Sequence, residues 1–370
     1  MLHGVNVLDL SRVLAGPLCG MTLGDLGANV IKVERPGSGD ESRGWGPPFD
    51  PRGESAYYLC CNRNKLGITL DLDSGAGLEQ LGRLVAGADV VIDNFRRGTL
   101  ERRGCLPEQL LALYPRLIWC TLTGFGPDSS RPGYDFVVQG EAGWMSITGE
   151  PDGAPMKVGV ALADVLAAKD ATIAILAALA ARATGALPPE RRRLFVSLYH
   201  SAAAALVNVA QNTLVSGQPP RRWGNAHANL VPYQLFAARD RSVVIAVGND
   251  GQWAGLCRVL GLDALARDPA VATNAGRLAE RERVVAAISA AVAGRVAAEL
   301  VSALEQAGVP AGVVRSVPEA LTDVDASPLT GVMPLAEGVP RRPPPRLGEH
   351  SALVHARGWE AFGSAVSAGA

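Results

Sequence analysis

The sequence predicts an α/β protein: a larger domain built on a Rossmann-like parallel sheet, and a smaller α+β domain. Three observations carry this. Short apolar runs alternate with helical stretches from Val5 to Tyr199, the first two runs enclose a strand–helix–strand unit of about thirty residues, and the composition shifts at PPRRWGNAHANLVPYQ (219–234), after which a hairpin pattern begins. Strands joined through helices need crossover connections, so the sheet is parallel and covered on both faces.

The elements follow in order. VNVLDL (5–10) and NVIKVE (29–34) are the first two strands, separated by the glycine-punctuated AGPLCGMTLGDLGA. GITLDL (67–72), ADVVIDNF (88–95) and RLIWCTLTGFG (116–126) repeat the pattern, with LEQLGRLVAG and PEQLLALY as helical partners. LFVSLY (194–199) is the last strand of this half, and HSAAAALVNVAQNTLVSG is a helix leading out of it. PYQLFAARDRSVVIAVGN then reads as a hairpin, followed by helices around DGQWAGLCRVLG, RERVVAAISAAVAG and AAELVSALEQAG and a short strand, AGVVRSV (311–317). From about Ser327 the chain is rich in Pro and Gly and is expected to run as an extended connection.

Composition excludes several function classes. With 48% hydrophobic and 19% charged residues, the 370-residue chain has material for two domains and a substantial core. Lys and Arg number 35 against 36 Asp and Glu, a net charge of -1, so the overall basic field of a nucleic-acid binder is missing. The six cysteines (19, 60, 61, 105, 120 and 257) form no CxxC pair and have no neighbouring histidines, so they are expected to be buried free thiols, with no metal. MLHGVNVLDLS has no signal-peptide pattern, and the Ala-rich stretch 161–183 is interrupted by Asp164, Lys169, Asp170 and Arg182, so no membrane span and a cytoplasmic location are expected.

The chemistry centres on KVGVALADVLAAKDATIAILAALAARATG (157–185), where Asp164 stands just before a long helix. Asp in that position is an ordinary N-cap, and free N–H groups of the first turn would also keep it ionised, as a carboxylate nucleophile requires. Asp170, six residues on, falls on another face and reads as structural. In an open parallel sheet the ligand lies at the carboxyl ends of the strands. There the loops carry Arg12 to Pro17, Arg35-Pro36-Gly37, Arg96-Arg97 and Arg102-Arg103, and gathered guanidinium groups suit a phosphate-bearing cofactor. Glu34 closes the second strand where NAD enzymes place a ribose-binding acid, but the glycines fall at 16, 20, 24 and 27, so GxGxxG is missing and NAD is not expected. His200 is expected in the core or an interface, and Trp45 is read as aromatic packing, with a pantetheine channel as the alternative.

These residues carry a family likeness. VLDLSRVLAGP, LGANVIKVERPGSGDESRGWGPPF, NRNKLGITLDL, ADVVIDNFRRGTLERRG, RPGYDFVVQ, the stretch around Asp164, GNAHANLVPYQ and PPPRLGEH, in that order, resemble the family III CoA-transferases (CaiB/BaiF) over nearly the whole length. The resemblance implies a large domain made from both chain ends: 1–200 in the large domain, 201–225 a linker helix and loop, 226–322 the small domain and 323–370 the return segment. It also implies an interlocked homodimer.

The family's nucleophile falls on Asp164, and its CoA-binding positions on Val13, Ala15, Arg35, Leu72, Asn94, Phe95, Arg102 and Tyr134. The loop that covers the acyl intermediate falls on Gly224, Asn225, Ala226 and His227, and an acidic position beside the site on Asp135. The implied reaction takes acyl-CoA, with succinyl-CoA a plausible donor, and a small carboxylic acid as partners; neither metal nor NAD takes part. Asp164 would form an anhydride and then a thioester with CoA. Two alternatives share the fold: an α-methylacyl-CoA racemase, which carries a histidine before the acid where this chain has Tyr134-Asp135, and a non-catalytic CoA-binding protein. Tyrosine is a poor proton acceptor at neutral pH, which favours the transferase. The chain departs from the family pattern at Leu14, at ALPPERRR before the last strand, and in a short stretch between Gly331 and Pro345.

Overall fold

The computed structural model describes residues 1–334 and 338–364. The chain divides into two compact units. The first comprises Met1–Trp144, Lys157–Gly217 and the chain from Val324 onward; the second comprises Met145–Met156 and Gln218–Asp323. Met145–Met156, placed by the sequence reading in the large domain, thus belongs to the second unit, and the helix read as a linker belongs to the first.

The first unit runs β1 (Asn6–Asp9), α1 (Ala15–Asp25), β2 (Asn29–Glu34), β3 (Lys65–Thr69), α2 (Gly75–Ala86), β4 (Val90–Asp93), α3 (Pro107–Leu113), β5 (Ile118–Thr123), α4 (Asp135–Glu141), α5 (Leu162–Ala183), β6 (Arg193–Ser197) and α6 (Val207–Ser216). The six strands pair in parallel in the order β3-β2-β1-β4-β5-β6. This is the doubly wound arrangement in which strand order reverses at β1 and β4. Strand ends differ from the sequence expectation by at most three residues. The three-residue differences are at the carboxyl ends of β3 and β5. β3 also begins two residues early, at Lys65, whose fully buried ammonium donates at 2.8 Å to Asp9 Oδ2, the Pro17 carbonyl and Asn62 Oδ1.

Two apolar layers sandwich the sheet. On one face Cys19 and Leu23 of α1 pack with Ala163, Ala167, Ala171 and Ile175 of α5. Small side chains along α5 let α1 approach closely, and Thr172 Oγ1 sits 3.4 Å from Cys19 Sγ. Gly16 has a packing role here, because a Cβ on it would lie 2.3 Å from the Ser11 side chain. On the other face α2, with Leu81, Leu84 and Val85, packs with Trp119 and with Val354 and Phe362 of the return segment. That segment forms a small ribbon, β10 (Ala326–Ser327) with β11 (Gly331–Val332), and a helix over Ser351–Arg357. Asn64 holds it down: its Oδ1 accepts from the backbone N–H groups of Arg341 and Arg342 at 2.6 and 3.0 Å. Residues 335–337 of the stretch read as short lie outside the described residues.

The second unit pairs β7 (Tyr233–Ala237), β8 (Ser242–Ala246) and β9 (Ala311–Val313) as an antiparallel sheet, which includes the expected hairpin. Its core adds Trp253 and Leu256 from helix Asp250–Leu260, Val284, Ile288 and Val292 from Arg281–Ala293, and Leu300 and Leu304 from Ala297–Gln306. Among the described residues no single helix is long and apolar enough to cross a membrane. All six thiols are free, and Cys60, contrary to expectation, is exposed.

Candidate active site

At the β1/β4 switch point the carboxyl ends of the strands open into a cleft of ≈ 970 Å³. That is ample for a cofactor-sized ligand. Its floor is made by strand ends: Leu10 after β1, Glu34 and Arg35 at β2, Leu70 to Asp73 after β3, Asp93 to Phe95 at β4. Of the residues assigned to CoA by resemblance, Val13, Ala15, Arg35, Leu72, Asn94, Phe95 and Tyr134 line the cleft, as does Asp164. Arg102 does not; it is exposed, and its neighbour Arg103 lines the wall while paired with Asp73 at 2.6 Å. Arg35 and Arg96, also on the wall, have no ion pair among the described residues, which leaves their charge for an incoming anion. Arg12 pairs with Glu41 and sits 5.7 Å over the Phe95 ring.

Asp164 is not the cap that the sequence suggests. The helix begins earlier, at Leu162, with Ala161 at the N-cap position, so Asp164 lies inside the first turn. The acceptor for the helix start comes from elsewhere: Asp135, in the first turn of α4, accepts the Ala163 N–H on Oδ1 at 2.8 Å. Gln139 donates to Asp135 Oδ2 at 2.6 Å and accepts the Val158 N–H at 2.8 Å, so α4 braces the chain that leads into α5. Asp164 itself is 9% exposed and its carboxylate has no hydrogen-bond partner among the described residues.

The charge state differs accordingly. Burial, and then the charge of Asp135, push the Asp164 carboxyl up to about 7, whereas the cap reading expected the helix to hold it ionised. The result is a more basic carboxylate, about half ionised near neutral pH, and basicity strengthens a nucleophile.

Tyr57 escaped the sequence reading. Its hydroxyl pKa is raised by burial and next by the charge of Asp164, and Trp45 meets its ring edge-on at 4.9 Å. Nothing in AYYLCC distinguishes Tyr57 from its neighbour Tyr58. Asp93, at the cleft floor, is buried and fully used: it accepts from Trp119 Nε1 at 2.7 Å, from Thr121 Oγ1 and from the Phe95 N–H at 3.0 Å. Glu34, weighed as a ribose ligand, is committed to Arg43 at 2.7 Å. His200 is exposed rather than core, its ring 5.8 Å from Tyr199, and Asp170 is exposed on α5.

Gly224, Asn225, Ala226 and His227 belong to the second unit. Gly224 takes φ +59 and its N–H donates to the Gly149 carbonyl at 3.1 Å, the Ala226 N–H donates to the Trp223 carbonyl, and His227 Nδ1 accepts the Asn229 N–H at 3.0 Å. His227 also packs 5.2 Å from the Tyr233 ring, and this bond and contact order the loop from within. Among the described residues no group of three or more His, Cys, Asp or Glu side chains is arranged to hold a metal ion.

Comparison with known proteins gives the family. The family described as CoA-transferase family III matches residues 2–344. The chain is 43% identical over 381 residues to a succinate–glutarate CoA-transferase of Agrobacterium fabrum, covering 95% of this chain and 94% of that protein. It is 36% identical to the human succinyl-CoA:glutarate CoA-transferase, covering 95% of this chain and 85% of the relative. Among solved structures, a CaiB/BaiF family protein from Brucella suis superposes with a TM-score of 0.84 at 40% identity, covering 96% of this chain and 98% of that one.

Proposed function

Because the chain belongs to CoA-transferase family III and is a CoA-transferase, we propose that it moves CoA from succinyl-CoA to a second dicarboxylic acid of glutarate's size, with Asp164 as the nucleophile. The observation that carries the reading is Asp164 itself: a buried, unpartnered carboxylate with a raised pKa on the wall of a cleft that also presents the unpaired Arg35 and Arg96. The diacid substrates come from the relatives' activities.

The chemistry follows from those groups. A carboxylate oxygen of Asp164 attacks the thioester carbonyl carbon, the C–S bond breaks and the CoA thiolate departs, leaving an aspartyl–acyl anhydride. The thiolate then attacks the aspartyl carbonyl and expels the first acid as its carboxylate, giving an aspartyl thioester. The second acid's carboxylate attacks that carbonyl, releasing thiolate, and the thiolate takes the new acyl group from the resulting anhydride, which restores Asp164. Over the whole cycle one thioester is broken and one is formed, so no external energy source is needed.

Within the cleft, this reading assigns the phosphates of CoA to Arg35 and Arg96 and the adenine to the apolar surface of Leu72 and Phe95. Val13, Ala15 and Tyr134 then line the pantetheine arm. Asp135 contributes from outside the lining, through its effect on Asp164.

The reading includes a homodimer, interlocked as the family resemblance implies. Its support on this chain is α6: none of its residues is buried, and Val207, Leu214 and Val215 are 68%, 78% and 77% exposed. An apolar helix face of that size calls for a cover, and sedimentation measurements should give twice the chain mass.

The reaction is tested by trapping. Turnover of succinyl-CoA in hydroxylamine should convert Asp164 to its hydroxamate, read by peptide mass. Full activity with an unlabelled Asp164 would sink the assignment.

A further inference from the structure

The loop between β1 and α1 contains a conformational outlier. Val13 has φ +72, a left-handed backbone that a β-branched side chain strongly disfavours. It lines the cleft and turns the chain from the end of β1 into the first turn of α1, whose Ala15 lines the cleft as well. Strain of this kind persists only where the surroundings over-determine it.

Three neighbouring side chains supply that constraint. Lys32 Nζ donates to the Ser11 carbonyl at 2.9 Å. Asn94 pairs with both backbone groups of Arg12, accepting its N–H at 2.9 Å and donating to its carbonyl at 2.7 Å. Asp40 accepts the Val13 N–H on both carboxylate oxygens at 3.2 Å. Asp40 is itself fixed: it is buried, bound to the fully buried Lys32 at 3.0 Å, and accepts the Ser42 N–H at 3.0 Å and its hydroxyl at 2.8 Å. Three consecutive residues of one loop are therefore held from three directions, on backbone atoms throughout. A bond to an ionised acceptor is stronger than a neutral one, which suits a site that must hold an unfavourable conformation.

We propose that Asp40, seated on Lys32, is a positioning residue that holds Val13 in its left-handed conformation and so shapes the β1–α1 loop for the CoA moiety. The inference rests on the reading that this cleft takes acyl-CoA. Asp40 makes no contact with the nucleophile, so its loss acts on cofactor binding and leaves the chemical step alone.

The test uses a substitution for which a purely structural role predicts no rescue. Glycine adopts positive φ without strain, so a glycine at position 13 does not need the clamp. Asp40→Asn should raise the KM for succinyl-CoA and the Kd for CoA about tenfold, the equivalent of one charge-assisted hydrogen bond, while kcat stays within about threefold. In the Val13→Gly background, where no clamp is needed, Asp40→Asn should change neither constant by more than about threefold relative to Val13→Gly alone. An unchanged Kd in Asp40→Asn, or the same roughly tenfold loss in the Val13→Gly background, overturns the proposal. Should Asp40→Asn fail to fold because Lys32 is left unpaired, Lys32→Met/Asp40→Asn removes that charge and is compared with and without Val13→Gly. Arg35→Ala separates the two readings: if it weakens CoA binding and Asp40→Asn does not, the positioning role fails alone, and if neither does, the cleft assignment fails with it.

Discussion

Asp135 Oδ1 accepts the Ala163 N–H at 2.8 Å, one residue before Asp164, so the carboxylate that caps α5 is also the like charge that acts on Asp164, the proposed nucleophile. One side chain thus orders the start of the helix and raises the basicity of the group it presents. In Asp135→Asn the amide oxygen can still accept from Ala163, but the charge is gone. The Asp164 pKa should fall below its value of about 7. Since the ionised form is the one proposed to attack, the acidic limb of the kcat/KM profile should move to lower pH, by about one unit given that burial remains the larger cause. The measurement is a pH–rate profile of both proteins; identical limbs would remove Asp135 from the electrostatics of the site.

The same shift has a consequence for stability. Asp164 has a folded pKa raised above its unfolded value, so its contribution is fully favourable below about pH 4, near the unfolded pKa. That contribution is lost as pH rises through about 7. Asp164→Asn carries no charge to bury and should match wild type at pH 4 while exceeding it at pH 8. The gain should be on the order of 2–4 kcal/mol, since each pKa unit is worth about 1.4 kcal/mol. Denaturant melts at the two pH values check it, and an inactive variant no more stable than wild type at pH 8 would contradict the raised pKa.

Much of this architecture was legible because buried parallel strands are short runs rich in Val, Leu and Ile, and VNVLDL, NVIKVE and ADVVIDNF keep that character although Asn6, Asp9, Lys32 and Asp93 interrupt them. What escaped was everything decided by distant partners. Asp164 was found, but its role as a cap was misread, because the helix starts where Ala161 leaves helical geometry and the cap is supplied by Asp135 from another helix. Lys32 and Lys65 sit in strands as fully buried ammonium groups, and nothing local says that Asp40 and Asp9 will neutralise them. The left-handed Val13 has no sequence mark either, since glycine, not valine, is the expected residue there.

Arg43 ties the β2 end to the segment behind the cleft. Its guanidinium bonds Glu34 at 2.7 Å and Glu54 at 2.6 Å, and lies 3.7 Å over the Tyr58 ring. Both carboxylates and the ring are buried, so truncation strands two anions in a low-dielectric setting. Arg43→Ala should cost about 3–5 kcal/mol. Arg43→Lys keeps the charge but loses the fork and the flat stacking face, and should recover less than half of that loss. Equilibrium unfolding of the three proteins checks the order, and a lysine variant as stable as wild type would reduce the interaction to a simple point charge.

His350 closes the free edge of the sheet. β3 is an edge strand, and its Gly67 N–H, which a further strand would otherwise capture, donates to His350 Nδ1 at 3.2 Å, while the Gly67 carbonyl accepts the His350 N–H at 2.9 Å. Nδ1 can accept only while unprotonated. Burial lowers the His350 pKa below its usual 6.5. A histidine with a depressed folded pKa supports the fold fully above its unfolded pKa, and that support is lost as pH falls from about 6.5 toward the folded value. His350→Asn presents an amide oxygen near the Nδ1 position and does not titrate. Wild type should therefore lose about 1–2 °C more than His350→Asn between pH 7.5 and pH 5, the scale of one hydrogen bond in a chain of this size. Thermal melts of both proteins at the two pH values give the difference, and parallel losses would show that the imidazole is not the pH-sensitive lock on this edge.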